Sequence, residues 1–271
     1  MTTLVNLKQS KLGSFPSGTH PISLSHAFGS DPASKREYLN RLRSRREAGR
    51  LVRGRGLDGH GGCAIGCTID AYDHQRYQKE LGVPLELVYL KELLFERLPA
   101  DRAMEWPERF LNAIEPGSDL SSVPHQFVRW LLAAPSRGII TYTTREMADV
   151  IRTVASFHEA AANGETPPLE QLRASSAFRA LRGESLGSPL LERIMDVVDW
   201  AVYSLSGDEP RFAAEAARAA VCVGIWGKAH AMGRGAKSPD LQSWIELINS
   251  LYELQSDKII YLLHRAGGND T

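Results

Sequence analysis

The stretch VPLELVYLKELLFERLP, residues 83–99, decides the fold class. Leu87, Val88, Leu94, Phe95 and Leu98 recur at steps of three and four, the spacing that puts side chains on one face of a helix. Pro84 sits where a first-turn proline belongs, and Pro99 stops the run. The pattern continues downstream. Pro107 opens a second helix with Phe110, Leu111 and Ile114 on one face, closed by Pro116-Gly117. Residues 124–134 bury Phe127, Val128 and Leu131 and stop at Pro135. The β-branched run Ile139-Ile140-Thr141-Tyr142 has no partner strand in sight and reads as an extended connector. Thr143 and Glu146 then form a capping box for the stripe Met147, Val150, Ile151, Val154 and Phe157, which ends at Asn163-Gly164.

Residues 165–187, rich in Pro, Ser, Gly and Arg, read as a linker with one short helix. Beyond it, Ser188-Pro189 and Ser238-Pro239 each place a capping serine before a first-turn proline. Three helices are expected there, at 189–205, 210–232 and 239–265. The middle one carries Ala213, Ala217, Ala220, Gly224, Gly227 and Ala231 along one stripe, a seam of small residues for close approach of its neighbours. Ala219, about 100° around the helix, is expected off that seam. No fixed repeat emerges, so a solenoid is not supported. The expected architecture is all-α, a multi-helix bundle in two layers or subdomains. Residues 1–33 form an irregular N-terminal arm, 34–164 a first helical subdomain, 165–187 the linker and 188–271 a three-helix subdomain.

With 271 residues, of which 43% are apolar, the chain can bury a sizeable core. Three cysteines, no apolar run of bilayer length and no basic-then-apolar leader at Met1 favour a cytoplasmic protein without a membrane partner. Net charge is zero, but it is unevenly spread. Residues 35–55 hold nine Lys or Arg against two Glu, a surplus of seven that the remainder must balance. This ladder includes Arg41, Arg43, Arg45, Arg46, Arg50, Arg53 and Arg55, the candidate binding residues. Its helix, with Ser34 as N-cap and only Tyr38, Leu39 and Leu42 apolar, ends at Gly49. Reversing Arg43, Arg46, Arg50 and Arg53 is expected to spare the fold, since exposed charges are individually worth about 0–1 kcal/mol.

Two glycine-rich motifs invite a phosphate-binding reading. Gly54-x-Gly56-x-x-Gly59 matches the dinucleotide fingerprint by letter, but Arg50-Leu51-Val52-Arg53 before it does not make a central strand. The segment 233–238, GRGAKS, precedes a helix start, yet lacks the glycines and the leading strand of a phosphate loop. Both read as turns, and no cofactor is expected. His60, Cys63, Cys67 and His74 are the right donor types for zinc, though their spacing matches no familiar zinc module. Buried structural cysteines are the preferred reading, with redox or nucleophilic use as the remaining alternative.

Two stretches carry a resemblance. WPERFLNAIEPGSDLS, residues 106–121, with a tail of Gln255, Lys258, Leu262 and Leu263, is similar to blocks in a group of bacterial, phage and prophage proteins of unknown role. GRGLDGHGGCAIGC, residues 54–67, resembles a glycine and paired-cysteine element of phage proteins. The resemblance implies a mobile-element origin and transfers no catalytic residue.

No serine-hydrolase elbow, metalloprotease helix or supported carboxylate pair is present in the sequence. The expectation is therefore a non-enzymatic protein-interaction factor that modulates a host or defence complex through its arginines. Two alternatives stay open: a nucleic-acid-binding protein using the same segment, and a thiol- or zinc-dependent enzyme. The protein partner is preferred because the molecule is bipolar rather than basic.

Overall fold

The computed structural model describes residues 26–54, 56–58, 60–175, 178, 183, 185, 187–207, 209–232 and 240–268. The proposed arm before residue 26, the segment 233–238 and several linker positions lie outside the described residues. Eleven α-helices appear among those described: α1 Pro32–Glu47, α2 Ala64–Ile69, α3 His74–Leu81, α4 Leu85–Arg97, α5 Ala100–Ala113, α6 Val123–Ala133, α7 Arg145–Ala162, α8 Leu169–Ala174, α9 Pro189–Ser204, α10 Phe212–Ala231 and α11 Leu241–Ala266. The only sheet among them is a two-residue hairpin, β1 Leu57–Asp58 with β2 Gly61–Gly62. The all-α class is therefore observed.

The stretch that decided the class becomes α4, whose Leu87, Val88, Leu90, Leu94 and Phe95 are buried. It contacts α3, α5, α10 and α11. One hydrophobic core runs from Ala27 to Leu263 and includes residues of both halves of the chain. Helix α10 is central to it, packing most heavily on α9 and also on α4, α6 and α11. A close approach by an expected neighbour is present at Gly224, where a Cβ would lie 2.8 Å from a Leu251 methyl of α11; at Gly227 the close neighbour is instead the Tyr142 ring, 2.2 Å from a Cβ, which belongs to neither flanking helix. The one-sided seam is not observed. Ala219 is 5% exposed while Ala220 is only partly buried, because neighbours cover α10 on several sides.

Local details also differ from the expectations. Asp31, not Ser34, caps α1, its carboxylate accepting from Ala33 N at 2.9 Å and Ser34 N at 3.1 Å, with Pro32 as the first helical residue. Helix α5 starts at Ala100, so Pro107 lies inside it. Residues Ile139–Tyr142 wind into a 3-10 turn rather than an extended connector. Thr144, rather than Thr143, caps α7, accepting from Met147 N at 3.5 Å. Asp240 caps α11.

A histidine pair, His158 buried and His125 half-buried, ties α6, α7 and α9 together. His158 Nε2 lies 3.0 Å from the Ala201 carbonyl and must donate to it, so its Nδ1 is left as an acceptor for His125 Nδ1, 3.2 Å away. Burial, with His125 alongside, pushes the His158 imidazole down to about 3.

The start of the described chain is held by backbone. Ala27 N donates to Ser118 O at 3.0 Å, and Gly117 N donates to Ala27 O at 2.8 Å. Gly82, at φ +67°, closes α3 against this segment, and a Cβ there would sit 2.3 Å from the His26 carbonyl oxygen. Gly164 has a comparable φ of +81° with nothing within 4 Å of a Cβ. Gly164→Ala should cost about 1 kcal/mol for left-handed backbone alone. Gly82→Ala adds a backbone clash and should cost roughly 3 kcal/mol or more in chemical denaturation. Equal losses would mean that residues 26–27 do not hold α3.

Candidate functional site: the arginine helix and the glycine turn

Helix α1 buries only Leu39 and Leu42, too little apolar surface to dock it alone. Charge supplies the rest. Arg41 and Arg45 converge on Asp70, Arg45 directly and Arg41 at 3.5 Å. The same two arginines donate to the last carbonyls of α2, Arg41 to Thr68 O at 3.2 Å and Arg45 to Gly66 O at 3.4 Å. They therefore cap the negative end of a six-residue helix. Arg43 and Arg46 converge on Glu108 of α5. Arg43 Nε donates to it at 3.2 Å, whereas Arg46 lies 3.0 Å from Oε1 off the hydrogen-bond axis, an ionic contact only. Arg53 Nη1 donates to the Leu98 carbonyl at 2.9 Å, past the end of α4. Arg36 and Arg50 are exposed, and Arg55 lies outside the described residues. Four of the seven candidate arginines thus bear on two carboxylates, so the expectation that the ladder can be reversed without touching the fold is revised for Arg43, Arg46 and Arg53.

The glycine turn is shaped by close backbone contact. The hairpin β1–β2 lies against Leu51, and a Cβ on Gly61 would stand 2.4 Å from the Arg50 carbonyl oxygen. Asp58 fixes the hairpin's tip by accepting from His60 N at 2.8 Å and Gly61 N at 3.0 Å. Gly54 N faces both carboxylate oxygens of Glu96, at 3.0 and 2.9 Å. A carboxylate of the chain itself thus takes the amide that a phosphate would need. Gly59, the last letter of the fingerprint, lies outside the described residues.

The four zinc-type donors are not brought together. Cys63 sits at the N-cap of α2, and burial raises its thiol pKa despite the nearby amides of Gly66 and Ile65. Cys67 is also raised by burial, against the opposing pull of Arg45, and its Sγ donates to Gly62 O at 3.2 Å. Both thiols are therefore neutral at physiological pH. His60 is exposed on the turn, and His74 belongs to another cluster. Among the described residues, no group of three or more His, Cys, Asp or Glu is arranged to hold a metal.

That other cluster carries no motif. His74 Nε2 lies 2.7 Å from Glu92 and stacks on Tyr89, with ring centroids 4.5 Å apart. Tyr72 donates to the other Glu92 oxygen at 3.0 Å. Burial raises the Glu92 carboxyl, but the His74 and Tyr72 hydrogen bonds outweigh it and leave the group below its ordinary range. Tyr72, Tyr89 and Glu92, with Gly54, Arg97 and Arg211, line an open cleft of about 760 Å³ between the turn, α4 and α10. The residue before Glu92, Lys91, is fully buried, its Nζ 3.4 Å from the Ala64 carbonyl and 4.5 Å from the Tyr77 ring centroid. Burial brings Lys91 from 10.5 down to about 7. The sequence signal for it was a lysine four residues after Leu87 and four before Phe95, at a core position of the α4 stripe. Nothing in the sequence paired Arg43 with a glutamate 65 residues away.

Comparison with family models, curated proteins and solved structures gives no match, so the reading of this region rests on its geometry.

Two outcomes follow from these contacts. Glu108→Gln should cost about 1.5–3 kcal/mol, as expected for a hydrogen bond to a buried charged group, whereas Arg36→Glu should change stability by less than about 0.5 kcal/mol. Equal urea midpoints for the two variants would refute the clamp. For Lys91, the folded state releases its proton near pH 7 and the unfolded state near 10.5, so the unfolded chain binds more protons in between. Stability should rise with pH across that window, on the order of several kcal/mol at full extent. Lys91→Met should flatten the rise and raise the midpoint at pH 7; an unchanged alkaline profile would show that Lys91 is hydrated.

Proposed function

We propose that this chain is a non-enzymatic binding factor that engages an acidic protein surface through the solvent side of α1 and the adjoining turn. The supporting observation is the sharing of carboxylates: Arg41, Arg43, Arg45 and Arg46 have Asp70 and Glu108 between them, with Glu37 as a third, exposed acid. With Glu47, exposed at the end of α1, these four arginines are balanced by four acids, and the exposed Arg36 and Arg50 leave the face positive. Arginine suits this task because its fork matches a carboxylate with two parallel hydrogen bonds.

Nucleic acid is the alternative reading of the same face. Single-stranded recognition calls for aromatic platforms. Tyr38, the one aromatic of the ladder, donates to Glu80 at 3.1 Å and lies under the Arg41 guanidinium. That arrangement favours protein over nucleic acid. The buried, neutral thiols likewise favour binding over nucleophilic chemistry. With the mobile-element resemblance, this makes an accessory factor acting on a host or defence complex in the cytoplasm. No helix among the described residues is long and apolar enough to cross a membrane.

The test uses Arg36→Glu/Arg50→Glu, two exposed positions outside the carboxylate clamp. A fluorescent polyglutamate peptide and single-stranded and duplex DNA of matched charge are titrated against the full chain at two salt concentrations. Capture from bacterial lysate is run with and without nuclease. Expected are salt-sensitive binding of the peptide, a nuclease-resistant partner with an acidic surface, and loss of both in the double variant at unchanged melting temperature. Preference for DNA with nuclease-released capture supports the alternative, and undiminished binding by the variant removes the face from the function.

A further inference from the structure

On the side of the bundle where α6, α7 and α11 meet, a cavity of about 480 Å³ is lined by Arg129 and Trp130 of α6, Glu159 of α7, and Lys258 and Arg265 of α11. Three cations thus face one space with a single carboxylate among its described lining residues. That carboxylate is engaged, since Arg129 Nη2 lies 3.3 Å from Glu159 Oε1. Lys258 and Arg265, seven residues apart, lie two turns apart on one face of α11. The Lys258 ammonium sits 4.2 Å from the centroid of the Tyr261 ring. Burial, and then the like charges of Arg265 and Arg129, hold Lys258 below the ordinary lysine range. Crowding of this kind is relieved by an anion. The indole of Trp130, partly buried and stacked on Phe127 at 5.8 Å, supplies a flat apolar wall beside the cations.

We infer that this cavity is a binding site for a small phosphorylated ligand with a planar ring, of the mononucleotide class, the phosphate meeting Arg129 and Lys258 and the ring lying against Trp130. The volume falls within the range of small-molecule sites, roughly 300–1,000 Å³. Arginine and lysine answer different parts of a phosphate, one as a planar fork and the other as a point charge. The inference is independent of the α1 face.

The probes are AMP, ribose 5-phosphate, adenosine and inorganic phosphate, titrated calorimetrically into the full chain at low chloride. AMP should bind one to one with a Kd of about 1 mM or below, more tightly than ribose 5-phosphate, with adenosine and phosphate weaker still. Lys258→Met should weaken AMP by about tenfold or more, the worth of one charge-assisted contact. Trp130→Leu should bring AMP down to the level of ribose 5-phosphate while leaving ribose 5-phosphate unchanged. Should either variant lose its circular dichroism signature, the Trp130 indole N–H resonance of the unmodified chain decides: its movement with saturating AMP supports the site. No saturable heat with millimolar AMP, full retention of affinity in a folded Lys258→Met, or a stationary Trp130 resonance overturns it.

Discussion

The arrangement of the N-terminal third depends on two carboxylates, Asp70 and Glu108, each shared by two arginines of α1. A helix with two buried leucines has little hydrophobic reason to stay where it is, and isolated surface ion pairs add little. Here the geometry improves on an isolated pair. The Glu108 side chain is 11% exposed, and both of its arginines reach it from one helix, so ordering α1 once satisfies both contacts. Asp70 adds a backbone constraint. It is a non-glycine residue in left-handed conformation, at φ 58°, where α2 ends. Such a position persists where the surroundings hold it. Arg41 and Arg45 do so while capping the carbonyls of the same turn.

That capping bears on the thiols. Helix α2 has six residues, far too few to be stable by itself, and all of them are buried. Its N-terminal end is closed over Cys63 and its C-terminal end by guanidinium groups. Between them the Ala64 carbonyl accepts from both the Thr68 hydroxyl at 2.6 Å and the Lys91 ammonium. A segment so short can be packed dry only if its polar ends are satisfied by side chains from elsewhere. Dryness is what raises both thiols and lowers Lys91. The paired cysteines, the buried lysine and the arginine ladder are therefore parts of one electrostatic arrangement, although they are separate features in the sequence.

The helices were legible in the sequence because burial imposes a period, and the period survives in residues such as Leu87, Leu94, Phe127, Val154 and Ile194. Boundaries were less legible. Ser34 and Thr143 are good capping residues one to three positions from the residues that cap; Asp31-Pro32 carries the cap-then-proline signal and was passed over for Ser34, whereas nothing local distinguishes Thr144 from Thr143. Pro107 looked like a helix start because proline favours that position, but the turn before it is anchored by Ala103 and Trp106, both fully buried. Ala219 was misread because a stripe of small residues suggests one seam, whereas a helix at the centre of a bundle has neighbours on several sides. The partners of the ladder lay furthest beyond reach. Arg45 and Asp70, or Arg43 and Glu108, are joined by tertiary geometry, and no spacing rule links them.

The glycine-rich turn shows how a sequence pattern and its chemistry can part. A dinucleotide loop spends its glycines on letting a pyrophosphate approach backbone amides at a helix N-terminus. This turn spends Gly61 on the approach of its own Arg50 carbonyl and satisfies the Gly54 amide with the Glu96 carboxylate. The anion that the motif calls for is present, but it is covalently part of α4, which fastens the turn to the end of that helix alongside the bond from Arg53 to Leu98. What remains open to solvent is the outer face of α1, where more guanidinium groups than carboxylates are held at fixed spacing. A face whose clamped arginines are already held by carboxylates loses less side-chain entropy on meeting a partner than a free row of arginines would, so the internal pairing and the proposed recognition support each other.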